Sequence, residues 1–412
     1  MTKVAVLGGA GAVGSVAVRT LAASGVFDEI VVADRDLPRA RALVDAMDLA
    51  GAQAIALEAE DERSVRGAVS GARVVLNCVG PFYRYAPVLL SAVAAAGVDY
   101  VDVCDDYDAT QELLAMDEEV RSAGVSALIG MGSSPGIANV VARVAAERLL
   151  DRVEAIDIYH AHGGEPEEGR AVVAHRIHSM VMDVPVFLDG RFESVRLFEE
   201  SGRALEEEVE FEDVGTYRVY AYPHPETLTL PAHIPGIERV TNKGLVLPPA
   251  YAELIKDVVR LGITSEEPID VDGAPVPPVA FAVSFILSQR DRLTREAGLE
   301  GPMGCLKMVI RGTSGGNALG YVFSLSSRGQ GMGEGTGIPA ALGAVLMATG
   351  RIRRKGVVPP EAAVDPGEFF GLLVQSLGAS GRGLPIHVSR IAEDGVMRKV
   401  PVQELLALLA GT

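Results

Sequence analysis

The chain has 412 residues, too many for a single hydrophobic core and enough for two or three domains. Hydrophobic residues make up 48% and charged residues 22%, which excludes wholesale disorder. The net charge of −18 argues against nucleic acid or an anionic lipid surface as a partner, because both are themselves anionic. No run approaches the roughly 20 apolar residues of a membrane span. Met1–Leu7 leads straight into a strand, so a cytoplasmic protein without membrane contact is expected. Cys78, Cys104 and Cys305 are too widely spaced for a disulfide framework or a thiolate metal site.

In chain order, short apolar runs alternate with helical patterns as far as Leu150. The pattern predicts strands at 4–7, 30–33, 55–57, 74–78, 100–103 and 126–130, with helices near 13–23, 37–47, 62–69, 86–96, 108–123 and 137–149. Asp36 and Asp61 are placed to cap helices, and Gly25, Gly71, Gly97 and Gly124 to end them. Six strands joined by helical crossovers imply a doubly wound α/β fold, a parallel sheet covered on both faces. From Asp151 the pattern turns to an α+β domain with a mixed or antiparallel sheet. Its strands are expected at 153–161, 209–211, 217–222, 307–310 and 321–325, with a hairpin at 184–195 turning on Asp189-Gly190 and helices at 249–261 and 279–297. The Pro- and Gly-rich segment 270–278 reads as a surface loop. The tail carries helices from Gly337 to Gly350 and at 366–377, a hairpin at Asp394-Gly395 and a last helix at 402–409. The expected domains are 1–135, 136–335 and a C-terminal segment 336–412.

The strongest local signal is Gly8-Gly9-Ala10-Gly11-Ala12-Val13-Gly14, directly after a strand and opening a helix. Gly9 permits the tight turn, Gly11 lets a pyrophosphate approach the backbone, and Gly14 lets helix pack on strand, while Ala12 and Val13 sit at the helix's free amino end. Asp34 ends the second strand, where a carboxylate accepts from a ribose 2′-OH and favours NAD over NADP. Arg35 beside it can grip a 2′-phosphate, so NADP stays open. Cys78, Val79, Gly80 and Pro81 follow the fourth strand at the point where the sheet order reverses, the expected nicotinamide side. Tyr83 either reaches substrate there or packs as a buried aromatic.

Asp102 and Asp105 come at the carboxyl end of the fifth strand, as candidates for moving an amine proton, while Asp106 and Asp108 suit helix capping. Ser134 and Asn139 belong to a Gly/Ser loop after the sixth strand, either a second helix amino end for a carboxylate or a domain hinge. Arg239, Asn242 and Lys243 either hold substrate carboxylates or form an exposed turn. His160 and His162 share a strand face, and His175 and His178 a helix face. Without a cysteine or acidic partner at ligand spacing they make no metal site, and one of them is expected to border the substrate pocket.

Five stretches together resemble the saccharopine dehydrogenase-like family, which includes saccharopine reductases, lysine 6-dehydrogenases and carboxynorspermidine dehydrogenases. They are Val6–Gly14, Val75-Leu-Asn-Cys-Val-Gly-Pro-Phe82, Gly97-Val-Asp-Tyr-Val-Asp102, Ser134-Pro-Gly-Ile-Ala-Asn139 and Gly356-Val-Val-Pro-Pro-Glu-Ala362. The resemblance implies an N-terminal Rossmann domain, a mixed α/β domain for substrate and homodimerisation, and a C-terminal segment returning to the first domain. It further implies hydride transfer between a nicotinamide and a carbon bearing nitrogen. Asp99 stands where saccharopine reductases carry a functional aspartate, but it begins its strand, at the edge away from catalysis. The Asn-Tyr-Glu stretch of the carboxynorspermidine enzymes is replaced by Val103-Cys104-Asp105, which points away from polyamines. The expectation is therefore an NAD(P)-dependent oxidoreductase acting on a CH–NH or CH–NH₂ bond of an amino acid, lysine or saccharopine first. The alternatives are an enoyl-type reductase of a hydrophobic substrate and a non-catalytic cofactor-binding protein.

Overall fold

The computed structural model describes residues 1–47, 51–379 and 386–401, with 404 and 407. The first unit runs β1 (Lys3–Leu7), α1 (Ala12–Ser24), β2 (Glu29–Asp34), α2 (Leu37–Met47), β3 (Ala52–Ala56), α3 (Glu62–Val69), β4 (Val74–Asn77), α4 (Phe82–Ala95), β5 (Asp99–Asp102), α5 (Tyr107–Ala115), α6 (Asp117–Ser122), β6 (Ser126–Leu128) and α7 (Ile137–Val144). The β1, β4 and β5 strands are buried almost throughout, as a parallel sheet clothed on both faces requires. Where one helix is expected at 108–123, two form. Met116 closes α5, and Asp117, Glu118 and Glu119 place their charge in the first turn of α6, where the dipole favours it. The α4 helix starts at Phe82, earlier than its apolar periodicity indicates, because Pro81 takes the capping position and the Asp106 carboxylate accepts from the Tyr83 N–H at 2.9 Å.

The second unit begins with β7 (Arg152–Gly163), α8 (Arg170–Val181), β8 (Val184–Leu188) and β9 (Arg191–Val195). It continues through α9 (Glu200–Arg203), β10 (Glu207–Phe211), β11 (Gly215–Ala221), α10 (Glu226–His233), β12 (Arg239–Leu247) and α11 (Pro249–Arg260). Then come β13 (Ile269–Val271), β14 (Ala274–Val276), α12 (Pro278–Glu296), β15 (Met303–Ser314) and β16 (Asn317–Arg328). The segment expected as a loop at 270–278 is mostly this β13–β14 hairpin, turning on Asp272 and Gly273 at φ 53° and 84°. An Asp-Gly pair supplies the two left-handed residues that such a turn needs. The stretch around Arg239–Gly244, with an exposed turn as one reading, is instead a buried strand, β12.

The remainder is α13 (Met332–Ala348), β17 (Gly356–Val358), α14 (Pro360–Ala363), α15 (Pro366–Ala379), β18 (Ile386–Ile391) and β19 (Met397–Lys399). The last helix expected at 402–409 falls largely outside the described residues. No helix among the described residues is long and apolar enough to cross a membrane.

The first sheet is parallel throughout, in the order β17-β6-β5-β4-β1-β2-β3, so the chain reverses direction across the sheet between β1 and β4. The second runs β10-β11-β12-β7-β15-β16-β18-β19, with β8 and β9 attached through β12. It is mixed, because β12 and β7 pair in parallel while β15 pairs antiparallel with both β7 and β16. One core joins a face of each sheet through α1, α7 and α13, and includes Leu21, Val141, Met308 and Leu346. The far face of the first sheet is covered by α3, α4 and α5, and that of the second by α8, α11 and α12. The α13 helix lies directly on α1. A Cβ at Gly337 would come 2.6 Å from the Val13 carbonyl oxygen, so only glycine allows this approach. That contact sets the first turn of α13 beside the glycine-rich loop.

Candidate active site

At the carboxyl edge of β1 the chain turns through Gly8–Gly11 into α1, whose amino end has no side-chain cap. Gly8 and Gly9 both donate to the Ala33 carbonyl, and Gly11 donates to Gly8. A Cβ on Gly14 would be driven into the Gly8 carbonyl, whereas one at Gly11 would meet only that oxygen, at 3.3 Å. The loop therefore packs tightly beneath and stays open above, a cradle that fits a dinucleotide pyrophosphate on the backbone N–H groups of Ala12 and Val13. Asp34 holds the loop in place, accepting from the Ala10 N–H at 2.9 Å and from the Asp36 N–H at 3.0 Å. Arg35 beside it is exposed. The Cys78-Val79-Gly80-Pro81 turn touches the same loop, since Gly8 abuts the Cys78 backbone. Burial and then Asp102 push the Cys78 thiol up to about 12, so it stays protonated.

Beyond this edge lies a cavity of about 240 Å³, bordered by Asp105 after β5, Ser133 and Ser134 after β6, His160 and His162 of β7, His175 and Arg176 of α8, Tyr222 and His224 after β11, and the first turn of α13. Much of its remaining wall is apolar, including Met303, Leu325, Ile338 and Leu373, with Ser326, Ser327 and Gln330 among the polar residues there.

His175 is the best-held polar group. Its Nδ1 lies 2.6 Å from Asp106 Oδ1, while its Nε2 faces Asp105 Oδ2 at 3.6 Å and Tyr222 Oη at 3.3 Å. Burial disfavours an imidazolium here, but Asp105, Tyr222 and Asp106 outweigh it and hold His175 well above the usual imidazole range. The Asp105 carboxyl, about a third exposed, is pushed up by burial. His160 goes the other way. Burial and the neighbouring His224 and His162 hold it well below the usual range, so it is neutral, with its Nε2 2.9 Å from Asn242 Oδ1. Two groups of three could hold a metal, Asp105–Asp106–His175 and Asp106–Asp108–His178, their ligand atoms lying within 4.8 Å of one another. In each a histidine nitrogen already meets a carboxylate at 2.6 or 2.8 Å, the geometry of an ion pair.

The sequence-derived candidates divide on this geometry. Asp105 and Ser134 line the cavity. Asp102 does not. It is fully buried beside the Tyr100 hydroxyl, its Oδ1 accepts from the Gly130 and Cys104 N–H groups, and burial pushes it up to about 6. Asp99 lies at the opposite edge, paired with Arg73 and Lys355. Tyr83 stacks on His178 with ring centroids 3.9 Å apart, and burial, Glu266 and Asp106 raise its hydroxyl to about 12.

Asn139 is buried. It accepts from the Gly136 N–H and donates to Glu361 at 2.8 Å, while Ile137 and Ala138 donate to Gly132 and Ser133. The amino end of α7, expected to be free for a carboxylate, is thus satisfied from within. Arg239 pairs with Asp157 at 2.8 Å and Lys243 with Glu207 at 2.5 Å, and neither borders the cavity; Asn242 meets it only through His160. Sequence reasoning passed over Tyr222, His224 and Arg176 altogether. The only available signal was that six of the seven histidines, His160, His162, His175, His178, His224 and His233, fall in the middle third of the chain.

Residues 4–128 match the model of the saccharopine dehydrogenase NADP binding domain. Over its length the chain is 25% identical to a carboxyaminopropylagmatine dehydrogenase of Synechocystis sp., across 94% of this chain and 97% of that protein. It is 23% identical to a carboxynorspermidine synthase of Vibrio alginolyticus, across 88% and 92%. Saccharopine dehydrogenase (L-Glu forming) of Saccharomyces cerevisiae shares the fold, with a TM-score of 0.66 at 17% identity over 97% of this chain and 100% of that one. Two curated relatives are thus polyamine-related by name, the branch from which Val103-Cys104-Asp105 pointed away.

Proposed function

We propose that this chain, whose residues 4–128 match the saccharopine dehydrogenase NADP binding domain, is an NAD(P) oxidoreductase of that type that makes or breaks a C–N bond to a secondary amine bearing a carboxylate. The observation that carries this reading is His175, set between Asp105 and Asp106 on the cavity wall at the carboxyl edge of the parallel sheet. Ligands of doubly wound folds lie at that edge. The nicotinamide, when bound, supplies or accepts hydride at the substrate carbon.

The chain's own groups handle protons and charge. Asp105 faces the cavity and accepts the proton that a substrate ammonium must lose before its carbon is oxidised. In the reverse direction, condensation of an amine with a carbonyl expels water, and His175 Nε2–H is the proton donor to that leaving oxygen. Asp106 fixes the ring by accepting from Nδ1, and Tyr222 fixes it from the other side. The apolar walls exclude water from the reacting carbon.

The polyamine relatives make carboxylated polyamines the first substrates to try, beside saccharopine and lysine. NAD is the preferred cofactor in this reading because of the Asp34 carboxylate. A cytoplasmic homodimer goes with it, checked by sedimentation velocity. The apolar walls favour a second reading, reduction of a carbon–carbon double bond in a hydrophobic substrate.

The test follows reduced-nicotinamide absorbance while the pure protein is offered these amines, and separately an enoyl panel. Turnover of an amine, falling about 10²–10⁴-fold in His175→Gln, is expected. Turnover of enoyl substrates alone would transfer the assignment to the second reading, and NADH binding without any turnover would leave a cofactor-binding protein.

A further inference from the structure

His224 carries a second held proton in the same cavity, and the proton-transfer chemistry above does not use it. It follows β11 and is 5% exposed. Its Nδ1 lies 2.6 Å from Glu226 Oε2, and Glu226, with no exposed surface at all, also accepts from Ser134 Oγ. Glu226 is the first residue of α10, so one buried carboxylate ties the imidazole, the loop after β6 and a helix together. No partner among the described residues meets His224 Nε2, and the residue lines the cavity.

From the geometry we infer that His224 anchors a substrate carboxylate through Nε2–H, with Glu226 as its positioning residue, and that the group bound beside Asp105 is a zwitterionic α-amino acid end. The inference rests on the amine chemistry above and adds the substrate's second charge. Charge accounting supports it. His175 has Asp106, His224 has Glu226, and Arg176 has Glu168, a carboxylate that Arg290 shares, while Glu334 on the opposite wall accepts from the Gly331 N–H. Asp105 faces the cavity without such a dedicated partner and feels the charge of both His175 and His224. The Tyr222 ring stands 6.1 Å from each of these imidazoles, between them. An ammonium at Asp105 and a carboxylate at His224 would then balance the site, whereas a bare anion would meet Asp105 and a bare cation would meet two imidazolium rings.

The groups facing His224 are Glu226 of α10, Asp105 after β5, His175 of α8, His160 of β7 and Tyr222 of its own segment. Burial and His175 oppose its charge; Glu226 and Asp105 prevail and raise it above the usual imidazole range. His160, the nearest imidazole at 5.7 Å, adds no charge because it is neutral. Two charged hydrogen bonds therefore meet on one ring, one spent on Glu226 and one left for a ligand.

The experiment uses the full chain labelled with ¹⁵N-histidine, titrated with L-lysine and with cadaverine, which is lysine without its carboxylate. Lysine should move the His224 ring signals and cadaverine should not. His224→Gln should weaken lysine binding about tenfold or more, as loss of a hydrogen bond between charged groups does, and should not weaken cadaverine binding, because one repelling imidazolium is removed. Glu226→Gln keeps an acceptor for Nδ1–H while removing the charge, so the pH at which lysine binding fades should move down. The inference falls if His224 is neutral at pH 7 in the wild type, if lysine leaves its signals in place, or if His224→Gln lowers both ligands alike. The unfolding midpoint of each variant shows whether it remains folded. A His224 that responds to lysine in a protein that turns over no amine would defeat the proposed reaction and leave this subsite standing.

Discussion

Asn139→Ala separates a substrate ligand from a structural clasp. Asn139 is fully buried, accepts from the Gly136 N–H at 2.9 Å and donates to Glu361 Oε2 at 2.8 Å. Removing its amide leaves two buried polar groups without those partners. At about 1–3 kcal/mol for each unsatisfied group, the expected loss is about 2–6 kcal/mol. Against a typical total of about 5–15 kcal/mol, this is a large fraction of stability. Urea unfolding followed by far-UV circular dichroism measures the loss, and steady-state kinetics on the same variant measures KM for the amine. A loss below about 0.5 kcal/mol combined with a raised KM would refute the clasp and return Asn139 to substrate binding. Glu361→Gln tests the other partner. Burial raises the Glu361 carboxyl above the usual range, so its contribution to folding is greatest below the unfolded value and is lost as pH rises through the folded one. At pH 7–8 the glutamine should therefore match or exceed the wild type, and a strong destabilisation there would contradict this account.

Three further outcomes are expected. Gly14→Ala places a methyl against the Gly8 carbonyl and should abolish NADH binding, seen as loss of the cofactor fluorescence change; unchanged affinity would show that the loop is not the pyrophosphate cradle. Asp34→Ser keeps an acceptor for the Ala10 N–H but removes the carboxylate, and should raise the ratio of NADP to NAD affinity about tenfold, or ~1.4 kcal/mol. A fixed ratio in calorimetric titrations would remove Asp34 from cofactor choice. His175 is held above the usual imidazole range, so its ion pair stabilises fully below the unfolded value near 6.5 and is lost as pH rises through the folded one. The wild type should thus lose stability on the alkaline side more steeply than His175→Gln, and parallel pH profiles would contradict the pairing.

Local periodicity and turn chemistry were enough for six of the first sheet's seven strands, while β17, which joins from the C-terminal segment, was not among them. A strand, a glycine turn and a helix are all encoded within the span from Lys3 to Ser24, and the acidic end of β2 follows shortly after. Such features depend on neighbours in sequence, so composition and spacing reveal them. The same holds for Asp189-Gly190, which turns the β8–β9 hairpin where expected. The candidate site was legible only in part. Asp105 could be placed because the edge of a parallel strand is known once the strand is known.

What the tertiary structure alone decided is which distant residues meet. His160, His175 and His224 come from a strand, a helix and a loop, and share a wall only because β7 pairs in parallel with β12 while α8 packs over the edge of the first sheet. Asn139 and Glu361 are separated by 222 positions and meet across α7 and α14. Arg239 and Lys243 looked like free cations in sequence, yet β12 carries each to a carboxylate, Asp157 and Glu207. A charge's role is set by what faces it after folding, since burial and partner distance decide whether it is spent on the fold or left for a ligand. In sequence an imidazole or a guanidinium has no partner yet, and long-range strand pairing supplies it.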